Sequence, residues 1–229
     1  MPATIALKAA VQGLSKNLKR LQATGKYEWS RPYQRTLGVT PPLTRETREE
    51  LLEILQEATP GFSFCDDVIE VYDCLDEISL GWASRTSKRD RLAGNLNITA
   101  FMDLHMASAE EHREVPTDLG FPAKLGEYRL FDWLGSTERT VIRLCGKGEQ
   151  PDLVCLLENR AGQLVEHRMK LSPAEYVKLG CLAFGLYGWQ SFFFDGARPP
   201  RATRDRFAAR LAAIVPSSAA AAFARLARL

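Results

Sequence analysis

Histidine is scarce in this chain, with three among 229 residues: His105, His112 and His167. His105 and His112 stand seven positions apart, about 10.5 Å along a helix axis, too far for joint metal ligation. No HExxH pair and no Cys/His zinc spacing occurs. His167 sits in a strand pattern between Glu166 and Arg168 and reads as a surface or internally satisfied histidine. Cysteine is also sparse: Cys65, Cys74, Cys145, Cys155 and Cys181 are odd in number and show no CxxC spacing. That argues against a secreted disulfide scaffold and fits a reducing cytoplasm. No run approaches the roughly 20 apolar residues that span a bilayer. Lys8 interrupts the apolar N-terminal stretch, so no signal peptide is expected.

Nucleophile and phosphate motifs are missing too. "LGSTE" at 134–138 lacks the second glycine of a GxSxG elbow. "CGKGEQP" lacks the remaining glycine and Ser/Thr of a phosphate loop, and reads as a hairpin turn between two strands. No metal, cofactor or catalytic residue is expected. An enzyme would need a site assembled only in three dimensions, with His105, His112 and the cysteines as first suspects.

What is present is ordinary globular composition, 45% hydrophobic and 25% charged. The net charge of +2 conceals an uneven distribution. Residues 1–35 hold seven Lys/Arg and one acid, and residues 198–229 repeat those numbers. The remaining 16 Lys/Arg face 26 Asp/Glu, so the body is acidic and the ends basic. An acidic body could suit basic partners, but scattered charge of this kind reads first as solvated surface.

Hydrophobic spacing predicts a helix over 4–23, with Leu7, Val11, Leu14, Leu18 and Leu21 on one stripe. A second helix is expected over 45–58, capped by Thr44, with Leu51, Leu52, Ile54 and Leu55 buried. A third follows, with Ser63 as candidate cap. "EISLGW" and "NLNITAFM" read as short strands, and residues 103–127 as a polar region without clear pattern. "EYRLFDWLG", "RTVIRLCG", "PDLVCLLEN" and "QLVEHRMK" read as four strands of an antiparallel meander. Leu153–Leu157 is apolar throughout and is expected to be covered on both faces. "LSPAEY" starts a helix through a capping box at Ser172 and Glu175 with Pro173 at the first position. Beyond Pro200, Phe207, Leu211 and Ile214 mark one amphipathic helix; Phe223, Leu226 and Leu229 mark another. This Arg/Ala-rich segment favours a docked helical extension over a nucleic-acid or membrane-binding arm, which would use more Gly, Ser and Lys.

The segment "FSFCDDVIEVYDCLDEISLGW" at 62–82 raises the question of chemistry most directly. At about 100° per residue, Cys65, Val68, Ile69, Tyr72 and Leu75 share one arc. Asp66, Glu70, Asp73 and Glu77 form a band elsewhere. Cys65 and Cys74 face opposite ways, and no calcium-loop spacing exists. Paired carboxylates are a weak signal for acid–base catalysis, since any acidic helix supplies them. The band reads as a solvated face or a partner surface.

The order of "LTRETREELLEILQ", that segment, "ITAFMDL", "FDW" and "LSPAEYVKLGCLAFGLYGW" resembles the SUKH superfamily, in particular its Smi/Knr-like branch, over about residues 43–194. Phe64-Cys65 stands where the family usually has Leu-Pro, and Asp76-Glu77 where it usually has Asn-Gly. The resemblance implies an α+β domain that binds proteins without catalysis. Bacterial members are commonly immunity proteins that neutralise toxins delivered between cells; fungal ones are regulatory scaffolds. The expected fold is α+β, a mostly antiparallel sheet of about five or six strands packed by helices. A single domain is expected over 1–197, with a helical extension over 198–229. The expected partner is a protein, in particular a toxin. Asp66, Asp67, Glu70 and Asp73 would meet its basic groups, and Trp82 would serve as an aromatic anchor.

Overall fold

The computed structural model describes residues 3–30, 37–58, 65–86, 91–106, 128–133, 138–143, 152–159, 161–162, 164–196 and 198–229. Helix α1 (Ala3–Gln22) buries all five residues of its predicted stripe, Leu7, Val11, Leu14, Leu18 and Leu21. The turn after it passes through Gly25, whose φ of +64° suits a residue without Cβ. Strands β1 (Tyr27–Ser30) and β2 (Gly38–Thr40) follow. Helix α2 (Arg45–Ala58) starts as predicted, with Thr44 Oγ1 accepting from the Thr47 N–H at 3.2 Å. Leu51 and Leu52 pack on the core, but Ile54 is 59% exposed. At 100° per residue it lies about 110° from the midline between those two leucines, off the buried arc.

The third helix is shorter than its sequence pattern. Helix α3 covers only Asp66–Tyr72, with Cys65 at the N-cap and no side-chain capping bond. The predicted cap, Ser63, lies outside the described residues. Strand β3 (Glu77–Ser84) takes over at the expected place, and β4 (Ala93–Leu96) covers part of "NLNITAFM". The end of that stretch is not strand: Phe101–Met106 form α4, whose start is fixed by the Phe101 N–H donating to Asp76 Oδ1 at 3.1 Å.

Strands β5 (Tyr128–Trp133), β6 (Glu138–Arg143), β7 (Leu153–Glu158) and β8 (Leu164–Met169) form the predicted meander in sequence order. Instead of one sheet there are two antiparallel sheets of four strands. In the first, β3 is central, with β1 and β2 in succession along one edge and β4 on the other. The sheets meet at residues 97–99. Ile98 bridges Asp132, Thr99 N–H donates to Phe131 O at 3.0 Å, and Trp133 N–H donates to Asn97 O at 3.1 Å. The protein is an α+β fold.

Strand β7 is buried on both faces as expected. Leu153 and Cys155 join the main core, while Val154 and Leu156 form a smaller cluster with Val141 on the opposite face. Helix α5 (Pro173–Ala183) covers the core side and carries the full Ser172–Glu175 capping box. A 3-10 turn at Trp189–Phe192 leads to α6 (Arg201–Ile214) and α7 (Ser217–Ala227). These last helices are docked. Phe207, Leu211, Ile214 and Phe223 are buried, and the Phe192 ring packs at a tilt against Phe207 with centroids 4.7 Å apart. Asn17 and Arg20 of α1 both donate to the Ile214 carbonyl, at 3.1 and 2.6 Å, satisfying an acceptor that the helix end leaves open. Leu226, expected to be buried, is 41% exposed.

Candidate partner surface and a buried polar cluster

Helix α3 is held by Val68, Val71 and Tyr72, which face the core near α1 and α5. The Tyr72 hydroxyl donates to Thr99 O at 2.8 Å and ties the helix to the junction between the sheets. This leaves the acids outward, but not equivalent. Asp66 is exposed and Asp67 half-buried. Burial raises the Asp67 pKa, and repulsion from Glu70, Asp66 and Glu175 adds to it. Glu70 accepts from Thr4 Oγ1 at 2.7 Å, and Asp73 is ion-paired with Arg48 of α2. The structure thus gathers all four predicted acids on one side and commits two of them to internal contacts. Helix α2 extends the acidic face with exposed Glu46, Glu49, Glu50, Glu53 and Glu57. Residues 45–73 hold nine carboxylates and only two arginines.

Trp82 is not a projecting anchor. It is 3% exposed, and its indole N–H donates to Phe184 O at 2.9 Å. Its place at the middle of β3, opposite both Trp29 and Gly94, turns the ring into the core.

Helix α1 separates the acidic face from a basic one. Thr4 touches Glu70 near its start, and Arg20 touches the α6 end near its finish. Those positions are about 24 Å apart along the axis. Arg201, Arg206, Arg210, Arg225 and Arg228 are exposed on α6 and α7.

A second arrangement escaped the sequence reading. Asp132 is fully buried, accepting from Asn97 N–H and from the Tyr176 hydroxyl, each at 2.7 Å. Tyr176 also lies 2.9 Å from Thr140 Oγ1. Burial pushes the Asp132 carboxyl up to about 7 against the pull of these donors. Asp132, Thr140, Cys155 and His167 form one rung across β5 to β8. A bulge between Leu130 and Asp132 lets both Phe131 and Asp132 be buried, which simple alternation hides. The polar residues recurring at one level of four apolar strands were the available signal.

The rung places a cysteine opposite a histidine, but not as a nucleophile pair. Burial pushes the Cys155 thiol up to about 12, so it stays protonated. His167 stacks on Phe194 at 4.4 Å, and burial lowers its pKa. His105 lies on α4, while His112 and Cys145 fall outside the described residues. Among the described residues no group of three or more His, Cys, Asp or Glu is placed to hold a metal ion. No described helix is long and apolar enough to cross a membrane. Two of the open grooves among the described residues bear on the site. One of about 470 Å³ lies against β1, β3 and β4 and is rimmed by Glu28, Arg91 and Tyr187. The other, of about 460 Å³, runs between α1, α5 and α7. No family model matches the chain, and neither a curated protein nor a solved structure matches it.

Proposed function

We propose that this chain is a non-enzymatic, cytoplasmic protein-binding module, specifically an immunity protein of SUKH type that neutralises a bacterial toxin. The observation that carries the reading is the acidic face of α2 and α3. Nine carboxylates against two arginines, with the Asp67 pKa raised by burial and then by its acidic neighbours, form a field that attracts a basic protein surface. The resemblance of residues 43–194 to the Smi/Knr-like pattern adds the toxin as the class of partner. The mechanism is steric and electrostatic occlusion, with the acidic face set against basic groups on the toxin. Asp66 and Asp67 lead this surface, because Glu70 and Asp73 are occupied internally.

The buried carboxyl favours no second reading. Asp132 is 0% exposed and lines neither groove, so it is not placed to meet a substrate.

The test is titration of the full chain against the toxin encoded beside its gene, followed by growth protection in cells expressing that toxin. Binding that weakens with salt and protection from killing support the reading. Absence of a toxin gene, or no binding and no protection, overturns it.

A further inference from the structure

We infer that the groove between α1, α5 and α7 is a binding site for the alkyl chain and carboxylate of a free fatty acid. This goes beyond the proposed function and uses a different part of the surface. The groove holds about 460 Å³, within the range of small-molecule sites, which is about 300–1,000 Å³. Its α1 wall includes Ala6, Ala9, Ala10 and Gly13, and its α7 wall Ala219 and Ala222. These short side chains leave the space between two helices open where larger ones would fill it. Leu182 of α5 adds apolar surface to the lining. A chain of methylene groups gains by leaving water for such a lining.

Charge selects the head group. None of the residues lining the groove is acidic, while Lys178 and Arg225 both line it. Neither cation has an ion-pair partner among the described residues. An apolar trough with two unpaired cations fits an anionic amphiphile and disfavours a cationic one. Leu226, 41% exposed on α7, is explained by the same groove, which it lines.

Calorimetric titration of the full chain with sodium dodecanoate below its micelle-forming concentration tests this. Dodecyltrimethylammonium, with the same tail and the opposite charge, is the control. Saturable one-to-one binding of dodecanoate is expected, at least about tenfold tighter than the cation. Ala222→Trp fills the trough from a partly exposed position and should weaken dodecanoate binding about tenfold or more. Ala9→Trp on the exposed side of α1 gives a second reading if the first variant folds poorly. Lys178→Glu with Arg225→Glu should remove the preference for the anion. In the unaltered protein, dodecanoate should shift the methyl resonances of Leu182 and Ala219. No binding, equal binding of both amphiphiles, indifference to both tryptophans, or methyl shifts confined to other parts of the molecule would each overturn the inference.

Discussion

The Tyr176 hydroxyl donates to Asp132 Oδ2 at 2.7 Å, joining α5 to the strand that links the two sheets. The second carboxylate oxygen accepts from Asn97, whose own side chain accepts from Leu80 N–H and donates to Trp133 O. One buried carboxyl thus connects α5 and β5 to Asn97, which follows β4 and bonds in turn to β3. Its neutral form is satisfied too: a protonated Oδ2 can donate to the Tyr176 hydroxyl oxygen, and that hydroxyl then donates to Thr140 Oγ1 2.9 Å away.

This sets a pH dependence of stability. The folded-state pKa of Asp132 is about 7, above the ordinary value of 3.8. Between those values the folded chain holds a proton that the unfolded chain releases, so stability falls as pH rises. The contribution is fully present below about pH 4 and lost by about pH 7, and is on the order of a few kcal/mol. Asp132→Asn keeps the shape and the acceptor for Asn97 and has no proton to lose. The difference in urea midpoint between wild type and variant, measured from pH 4 to 8, should therefore change steadily in favour of the variant. A difference independent of pH would remove Asp132 as the titrating group.

The same cluster predicts strong coupling. Tyr176→Phe deletes the hydroxyl shared by Asp132 and Thr140 and should cost about 1–3 kcal/mol. Thr140→Val should cost less alone, and the pair should fall well short of additive, because both changes break one chain of hydrogen bonds. Additive losses in a double-mutant cycle would mean that the contacts are independent.

Much of the fold was legible because its signals are local. The stripe from Leu7 to Leu21, the Thr44 cap and the Ser172 capping box each state their structure within a few residues. Trp82 was misread because a tryptophan near an acidic helix looks like an anchor until the strand register shows it between Trp29 and Gly94. Phe101 was misread because the group that starts α4, Asp76, is 25 residues away in sequence. Asp132 was missed because its burial depends on a bulge and on two partners distant in sequence, Asn97 and Tyr176. Non-local register, not composition, is what the unaligned sequence withholds.

Gly94 offers a test of the Trp82 assignment. A Cβ at residue 94 would come within 2.6 Å of the Trp82 ring and 2.7 Å of Gly185 O. Neither can retreat easily, since the indole N–H is bonded to Phe184 O. Gly94→Ala should destabilise by about 1–3 kcal/mol, with a change in tryptophan emission. A variant with unaltered thermal midpoint and emission would place the ring elsewhere.

The docked C-terminus predicts that its apolar residues matter to stability and its arginines do not. Phe223 is 0% exposed and lies 5.4 Å from Phe207 and 5.9 Å from Phe193. Phe223→Ala should cost about 3–5 kcal/mol in denaturant unfolding. Replacing exposed Arg206 and Arg210 by Gln should stay within about 0.5 kcal/mol. The reverse ranking would mean that the segment is not packed on the body.

The acids of α3 divide into two kinds, and the division separates binding from folding. Asp73 balances Arg48, whose side chain is only 13% exposed, so Asp73→Asn leaves a largely covered guanidinium without its partner. That change should lower stability by about 1 kcal/mol, with its partial exposure limiting the loss. Asp66 has no such tie, and Asp67 is held at a raised pKa by burial and by Glu70, Asp66 and Glu175. Asp67→Asn removes a partly buried charge and its repulsion, and should leave stability unchanged or slightly higher at neutral pH. Asp66→Lys with Asp67→Lys should slow association with a basic partner by about tenfold at low salt, the difference shrinking as salt screens the field. Stopped-flow association across a salt series, alongside unfolding of each variant, reads both effects at once. If Asp66 and Asp67 change only stability while Asp73 changes only association, the acidic face does not act as proposed.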